Sequence, residues 1–521
     1  MLALSRIARS FNGGTVIPTR TLARCGVVLA GTALLMVAPT GTAAAQADPL
    51  ADLDGYVKRV MENWEAPGIA VAVVKDDQVV LAQGWGVREL GSPEWVDEET
   101  VFAIASTSKA FTAAALGMLV DAGELSWDDP VIDHLPGFRL FDPYVTREMT
   151  VRDLLSHRSG LSRGDLLWYA SPFTRDEVVE RVRGLEPSWS FRARYGYQNI
   201  MFTTAGEVVR AVTDTTWDEF VAHRIFAPLG MHNSTTTIRD LDGRDNVATP
   251  HGKIDGEVTP IAWRNFDNLG GAGSINSSVG DLAQWMRMQL NEGVYGDVQL
   301  ISDSVIKEMH TPQTVVPRSD DEEEMFPETH FSAYGLGWRL NDYRGRLIVR
   351  HGGALDGMRT HVLLVPEEEL GVVAVTNVND GRIPMTIVWY VVDQYLGPTG
   401  KDWNQVYLEA AEKSRHRADS IQAKTESERV EGTQPSHELE AFTGTYLSEL
   451  FETAEVTQQD GHLVVTVGPY FVGDLEHWHF DTFRATWRDR YLGKDWVHFQ
   501  TNRRGEVATL AIPGFGEFRR E

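Results

Sequence analysis

Apolar and polar positions divide the chain into stretches of different period. Over residues 51–65, Leu53, Val57, Val60 and Met61 fall on one helical face. Two short apolar runs follow, 68–74 and 78–82, separated by Lys75-Asp76-Asp77, and they predict a buried β-hairpin. A third apolar run ends at Ser106 and leads into a helix-like segment from Ala110 to Val120. Residues 110 to about 240 then read as helix and loop, with a short helix over 152–157 entering the loop Arg158-Ser159-Gly160, and amphipathic helices over 204–212 and 217–226. Gly270 to Gly273 form a flexible turn with a helix over 281–290 behind it. Strand patterns return over 347–351, 361–365 and 371–376, and a helix over 383–395 closes this block. The pattern predicts an α/β layer, built from an N-terminal hairpin and C-terminal strands, that encloses a helical insertion.

Beyond this block, residues 402–429 are charged and helix-prone and read as a linker. From Leu439 the pattern changes to short alternating strands, including 463–467, 496–499 and 507–512. These predict a small antiparallel barrel or sandwich. The acidic run 320–324 reads as a solvated loop rather than a cation site.

A length of 521 residues implies two or three domains, and 42% hydrophobic residues are ample for their cores. The formal net charge of −26 argues against nucleic acid and anionic membrane as partners. Cys25 is the only cysteine, which excludes a disulfide framework and a cysteine-based metal site. Residues 1–47 read as an export signal: Arg6, Arg9, Arg20 and Arg24 precede an apolar run over 26–39, and Ala45-Gln46-Ala47 supplies a cleavage site. The run is too short to span a bilayer, so the processed chain is expected to be exported, to periplasm or medium, without a stable membrane span. The expected organisation is a signal over 1–47, a catalytic domain over 48–398, a helical linker over 399–436 and a β-domain over 437–521.

Three places carry candidate chemistry. Ser106 and Lys109 lie one helical turn apart, which pairs a nucleophilic hydroxyl with an amine. Burial and a neighbouring cation would push that amine toward its neutral, basic form. Tyr197-Gln198-Asn199 offers a phenol whose pKa two nearby cations would lower, and an amide for a substrate. His351-Gly352-Gly353 ends the strand pattern over 347–350, and the two glycines leave a strand edge bare for an extended substrate.

In this order, Ser106–Lys109, Tyr197–Asn199 and His351–Gly353 resemble the three motifs of the penicillin-recognising serine hydrolases. That family includes class C β-lactamases, DD-carboxypeptidases, D-aminopeptidases and related esterases. The stretches Leu154 to Leu161, Gly270 to Ser274 and Tyr334-Gly335-Leu336-Gly337-Trp338 look like it too. The resemblance covers about residues 50–395, and 437–521 looks like the lipocalin-like β-barrel often appended to such hydrolases. It implies a two-lobed α/β fold, with an antiparallel sheet flanked by helices and an all-helical lobe. It also implies an acyl-enzyme on Ser106, proton transfer shared by Lys109 and Tyr197, and a substrate amide held by Asn199. The oxyanion hole would be the backbone N–H groups of Ser106 and Ala354, with His351 tuning Tyr197 and touching substrate. No metal or cofactor is implied, and no partner beyond a small peptide, amide or ester substrate.

The third motif departs from the β-lactamase form, because His351 stands in place of lysine and Gly352 in place of threonine. Histidine is only partly charged near neutrality, and glycine has no hydroxyl for a carboxylate. Peptide or ester hydrolysis therefore fits better than destruction of β-lactams, and a penicillin-binding sensor or scaffold without turnover is the alternative of a different class. Arg350 and Arg359 are candidate substitutes for a carboxylate anchor. Competing patterns are Gly160-Leu161-Ser162-Arg163-Gly164, which lacks the strand that a nucleophile elbow needs, and a second Ser-x-x-Lys at Ser304–Lys307 on a polar segment. Ser274-Ile275-Asn276 comes too late to serve as a second motif, and His477, His479 and Asp481 read as strand alternation rather than metal ligands.

Overall fold

The computed structural model describes residues 48–521, so the export segment expected over 1–47 lies outside the described residues. An eight-stranded antiparallel sheet organises the larger part. Its strands are β1 (Gly68–Lys75), β2 (Gln78–Gly86), β3 (Thr314–Val315), β4 (Ser332–Tyr334), β5 (Arg339–Tyr343), β6 (Arg346–Leu355), β7 (Met358–Val365) and β8 (Leu370–Thr376), in the order β2-β1-β8-β7-β6-β5-β4-β3. Central strands buried on both faces need continuous apolar runs, and β1 and β8 supply them. Ala70, Ala72, Val373 and Val375 face one core, while Ile69, Val71, Val372 and Ala374 face the other. Helices α1 (Leu53–Trp64) and α5 (Arg382–Leu396) cover the second face, and α4 (Val279–Leu290) packs on the first. The hairpin expected to be buried is buried only in β1. Strand β2 is a sheet edge, and Val79 and Val80 are exposed on it.

The helical lobe is inserted between β2 and β3. At its centre lies α2 (Ser108–Asp121), buried from Ser108 through Leu119. A helix that is apolar all round must be surrounded, and α2 is enclosed by α3 (Asn199–Thr213), α4 and the segment Asp303–Met309. Phe111 stacks on Trp285 with ring centroids 3.9 Å apart.

The charged stretch read as a linker forms α6 (Trp403–Ser427), a single helix of 25 residues. Its first turns belong to the core: Trp403 and Tyr407 are buried, and Trp403 donates to Asp393 at 2.8 Å. The acidic run expected as a loop is a short helix, Asp320–Met325, capped by Ser319. Local capping and cations on neighbouring elements overcome the like-charge repulsion, with Arg417 on Asp321 and Lys413 on Glu324, both at 2.8 Å.

The C-terminal part is a closed eight-stranded barrel running from Gly444–Ser448 to Gly516–Arg520. Alternate residues point inward and fill it: Tyr446, Ala454, Val456, Phe483, Trp487, Phe499 and Phe518 are all buried. Because the barrel runs up and down, every second hairpin loop lies at the same mouth. The four loops of that mouth meet the catalytic part. Leu450 packs on Gly184, and its carbonyl accepts from Arg181 at 3.0 Å. Gly468 abuts Pro172 and Gly514 abuts Leu166. Asp489 accepts from Arg264 at 2.9 Å, and Tyr491 accepts from Asn379 at 2.7 Å.

Arg264 also bonds Asp356 at 2.8 Å, and both side chains are nearly inaccessible, at 7% and 9% exposure. Replacing Arg264 by alanine would leave Asp356 charged and unpaired. Arg264→Ala should therefore destabilise the chain by about 3 kcal/mol in denaturant unfolding, and a change below about 0.5 kcal/mol would show that the pair contributes nothing at this seam.

Candidate active site

Ser106 sits in a tight turn between sheet and helix. Phe102–Ala103 pairs with Asn276–Ser277, Ala105 takes a left-handed backbone (φ 51°), and the 3-10 turn Ala105–Thr107 runs directly into α2. Alanine in that conformation costs about 1 kcal/mol or more, and the enclosing core imposes it. Strand β6 approaches this turn so closely that a Cβ on Gly353 would lie 2.0 Å from the Ile104 carbonyl oxygen. Glycine at 353 is thus a requirement of close approach.

The strand expected to end at Arg350 continues to Leu355. Its pairing with β5 stops at Arg350, while β7 pairs with it up to Leu355. The edge from His351 to Ala354 is therefore bare on the side of Ser106. Counting from the two-residue turn after Leu355, the pair Ala354–Arg359 is not hydrogen-bonded across the ladder. The Ala354 N–H accordingly points away from β7, to the unpaired edge of β6.

Lys109 is fully buried in α2, and its Nζ lies 3.1 Å from Ser106 Oγ, 2.7 Å from Asn199 Oδ1 and 2.6 Å from the Ala272 carbonyl oxygen. Burial holds its pKa well below the lysine range. The Asp165 charge opposes this shift and Arg163 adds to it. A neutral amine has two N–H donors and one lone pair. Asn199 and Ala272 accept the two N–H groups, so the lone pair is left for the Ser106 hydroxyl. Asn199 begins α3, whose N-cap is Gln198, and its Nδ2 donates to Asp165 at 2.9 Å. That bond fixes which end of the amide faces Lys109.

Tyr197 lies with its ring centroid 5.0 Å from Lys109 Nζ and 5.3 Å from the Arg163 guanidinium. The expected lowering of its pKa is reversed: desolvation raises it, and the interaction with Ser106 and the Arg163 charge offset only part of that. Tyr197 is therefore a neutral phenol.

His351 also differs from expectation. Its Nδ1 donates to the Gly352 carbonyl at 2.8 Å, and its Nε2 accepts from the Tyr334 hydroxyl at 2.8 Å. Burial is the largest cause that pushes its pKa down to about 3. It is neutral at physiological pH with both nitrogens engaged, and its ring lies 6.4 Å from that of Tyr197. Both candidate arginines are engaged by protein acceptors. Arg350 donates to Asn341 at 2.9 Å, and Arg359 donates to the Leu355 and Met358 carbonyls at 2.6 and 2.7 Å.

Asp165, Tyr334, Ala272 and His157 complete the cluster and were not among the predicted site residues. His157, Ala272 and Tyr334 lie in stretches that carry the family resemblance, whereas Asp165 leaves no sequence signal. The competing motifs sit elsewhere. Ser162 is exposed and pairs with Ser188 at 2.6 Å, and Lys307 pairs with Asp303 rather than Ser304. Asn276 is held in the small sheet beside Ala103. His477 meets the Phe480 carbonyl and Asp481 accepts from Ser436, so neither is organised around an ion. Among the described residues no cluster of three or more His, Cys, Asp or Glu is arranged to hold a metal.

The chain belongs to the beta-lactamase family, whose profile matches residues 53–395. A second profile, a domain of unknown function (DUF3471), matches 428–520. Among curated proteins the chain is 28% identical to an unguisins hydrolase of Aspergillus violaceofuscus over 389 residues, covering 69% of this chain and 67% of that protein. It is 32% identical to penicillin-binding protein 4 of Amycolatopsis lactamdurans over 330 residues, covering 60% and 81% respectively. The octameric penicillin-binding protein homologue of Pyrococcus abyssi has the same fold, with a TM-score of 0.61 at 22% identity, over 90% of this chain and all of that one. Fold, family and site together define a serine hydrolase-type enzyme.

His157, His310, His351 and His361 all have pKa values depressed by burial, to about 4 for His310 and about 3 for His351. The unfolded chain therefore binds more protons than the folded one below the ordinary histidine pKa of about 6.5. Stability contributed by these neutral rings is present above that pH and lost as pH falls toward about 4. Each ring should account for about 1.4 kcal/mol per pH unit in that window, measured by denaturant unfolding at stepped pH. A flat stability between about pH 6 and pH 4 would contradict the burial of these rings as neutral groups.

Proposed function

We propose that the protein is an exported serine hydrolase that cleaves amide bonds of short peptides, including D-residue or cell-wall types, through an acyl-enzyme on Ser106. The observation that carries this reading is the buried Lys109 Nζ, 3.1 Å from Ser106 Oγ and within hydrogen-bond distance of Asn199 Oδ1 and the Ala272 carbonyl oxygen. Ser106 Oγ bonds to the substrate carbonyl carbon, and its proton passes to Lys109 Nζ. The carbonyl electron pair moves onto oxygen, which the N–H groups of Ser106 and Ala354 stabilise. The adduct collapses by breaking the carbon–nitrogen bond, and the leaving amine takes the proton from Lys109 by way of the Tyr197 hydroxyl. Water then gives a proton to Lys109, adds to the ester, and Ser106 leaves with that proton.

The third motif supports peptides over penicillin-like carboxylates. His351 is neutral and fully engaged, Gly352 has no hydroxyl, and Arg350 and Arg359 are turned to protein acceptors. The similarity to a hydrolase named for unguisins supports a hydrolytic activity. An ester substrate is the second reading, because an ester carbonyl suits the same nucleophile and base. Similarity to penicillin-binding proteins supports a third, acylation without turnover.

A fluorophosphonate should label the wild type and Ser162→Ala but not Ser106→Ala, and label on Ser106→Ala would remove the nucleophile. Lys109→Ala should slow labelling by about 10²–10⁴-fold. The labelling rate should fall at low pH as Lys109 becomes protonated and reach its plateau well below the ordinary lysine pKa of about 10.4, so a rate still climbing above about pH 10 would mean that Lys109 is not the base. Turnover of D-alanyl or D-amino-acid amides is expected. Nitrophenyl ester turnover without amide turnover would select the esterase, and label without product release the non-turnover protein.

A further inference from the structure

His157 is a buried imidazole with no part in the proton path above. It follows the short helix Val151–Leu154 and has a left-handed backbone, φ 54°. Its carbonyl accepts the Gly196 N–H at 2.8 Å, and its Nδ1 accepts the Gln198 N–H at 3.1 Å. One residue thus takes the peptide N–H on each side of Tyr197. The ring also lies against the phenol, with centroids 4.2 Å apart, and touches Tyr334 at 4.5 Å and Phe202 at 5.2 Å. Accepting at Nδ1 puts the proton on Nε2, which has no hydrogen-bond partner. The ring is therefore held by a single directional bond, to the chain that carries Tyr197.

The surrounding backbone continues this grip. Arg192 N–H bonds the Arg158 carbonyl at 2.8 Å, and Ser188 N–H bonds the Gly160 carbonyl at 2.9 Å. The loop 157–160 thus runs along the segment 188–198. Tyr197 lies outside α3, ahead of the N-cap Gln198, so the helix alone does not fix its phenol.

We infer that His157 is a positioning residue: by gripping the chain on both sides of Tyr197 it sets the phenol against Ser106 and Lys109, and its imidazole acceptor, rather than its bulk, is what the reaction needs. This role rests on the serine-hydrolase reading above.

The full chain carrying His157→Asn, His157→Gly or His157→Leu tests it, read by fluorophosphonate labelling of Ser106 and by kcat and KM on an amide or ester substrate. Asparagine and glycine both accept a left-handed backbone, but only asparagine offers an acceptor near the position of Nδ1. Glycine and leucine should lower the labelling rate and kcat by about 10²-fold, with KM changed by less than about threefold and asparagine restoring the rate to within about tenfold of wild type. Folded glycine and asparagine variants of equal rate, or a loss confined to KM, would overturn the role. If the glycine and leucine variants do not fold, the asparagine variant decides alone, since a folded but hundredfold slower protein overturns it. A wild type that takes no label at Ser106 removes the nucleophile and this role together. A labelled wild type whose glycine variant matches the asparagine one removes this role only.

Discussion

An amine buried without a carboxylate against it is the constraint on which the catalytic part is built. An ordinary lysine ammonium cannot be kept in such a place without a large desolvation cost, so the neutral form is favoured. The arrangement of its two acceptors gives the Lys109 amine a fixed orientation. Asn199 comes from α3 and Ala272 from the turn before Gly273, while Lys109 itself is on α2. Three separately folded elements must meet before the lone pair has a direction. Asp165 sets the orientation of Asn199 and lends the site the one negative charge that would accompany a protonated Lys109.

The elements with strong periodicity were legible in the sequence. The continuous apolar runs of β1 and β8, the enclosed helix α2 and the alternating barrel strands each bury a repeating set of side chains, which is what a local pattern records. The ends of elements were less legible. Strand β6 was expected to stop at Arg350 because two glycines follow, but those glycines allow Ile104 to pass close by while pairing with β7 continues. The first turns of α6 looked like linker because charge dominates that stretch. Two aromatic residues, Trp403 and Tyr407, place them in the core.

The site showed the same division. Ser106, Lys109, Tyr197 and Asn199 meet, and Gly353 lies against the turn that carries Ser106. The electrostatic character of two members was misread, because sign and size of a pKa shift depend on burial and on partners distant in sequence. Tyr197 has cations nearby, yet desolvation outweighs them. His351 was expected to keep some charge, yet Tyr334 and the Gly352 carbonyl use both of its nitrogens. Asp165 acts only through Asn199, so no local spacing announces it.

The barrel mouth has a bearing on how such a protein can diversify. Its four loops touch the catalytic part at separate points, beside Gly184, Leu166, Pro172 and the Asp356–Gly357 turn that follows the Ala354 strand. Each loop closes a two-stranded hairpin of the closed barrel, and two of them seat an aromatic ring, Phe451 and Phe515, in its core. Insertions or deletions there would reshape the rim of the catalytic part while leaving Ser106, Lys109 and their acceptors untouched. The fold thus separates the heritable control of the rim from that of the reacting groups, and the two can drift at independent rates.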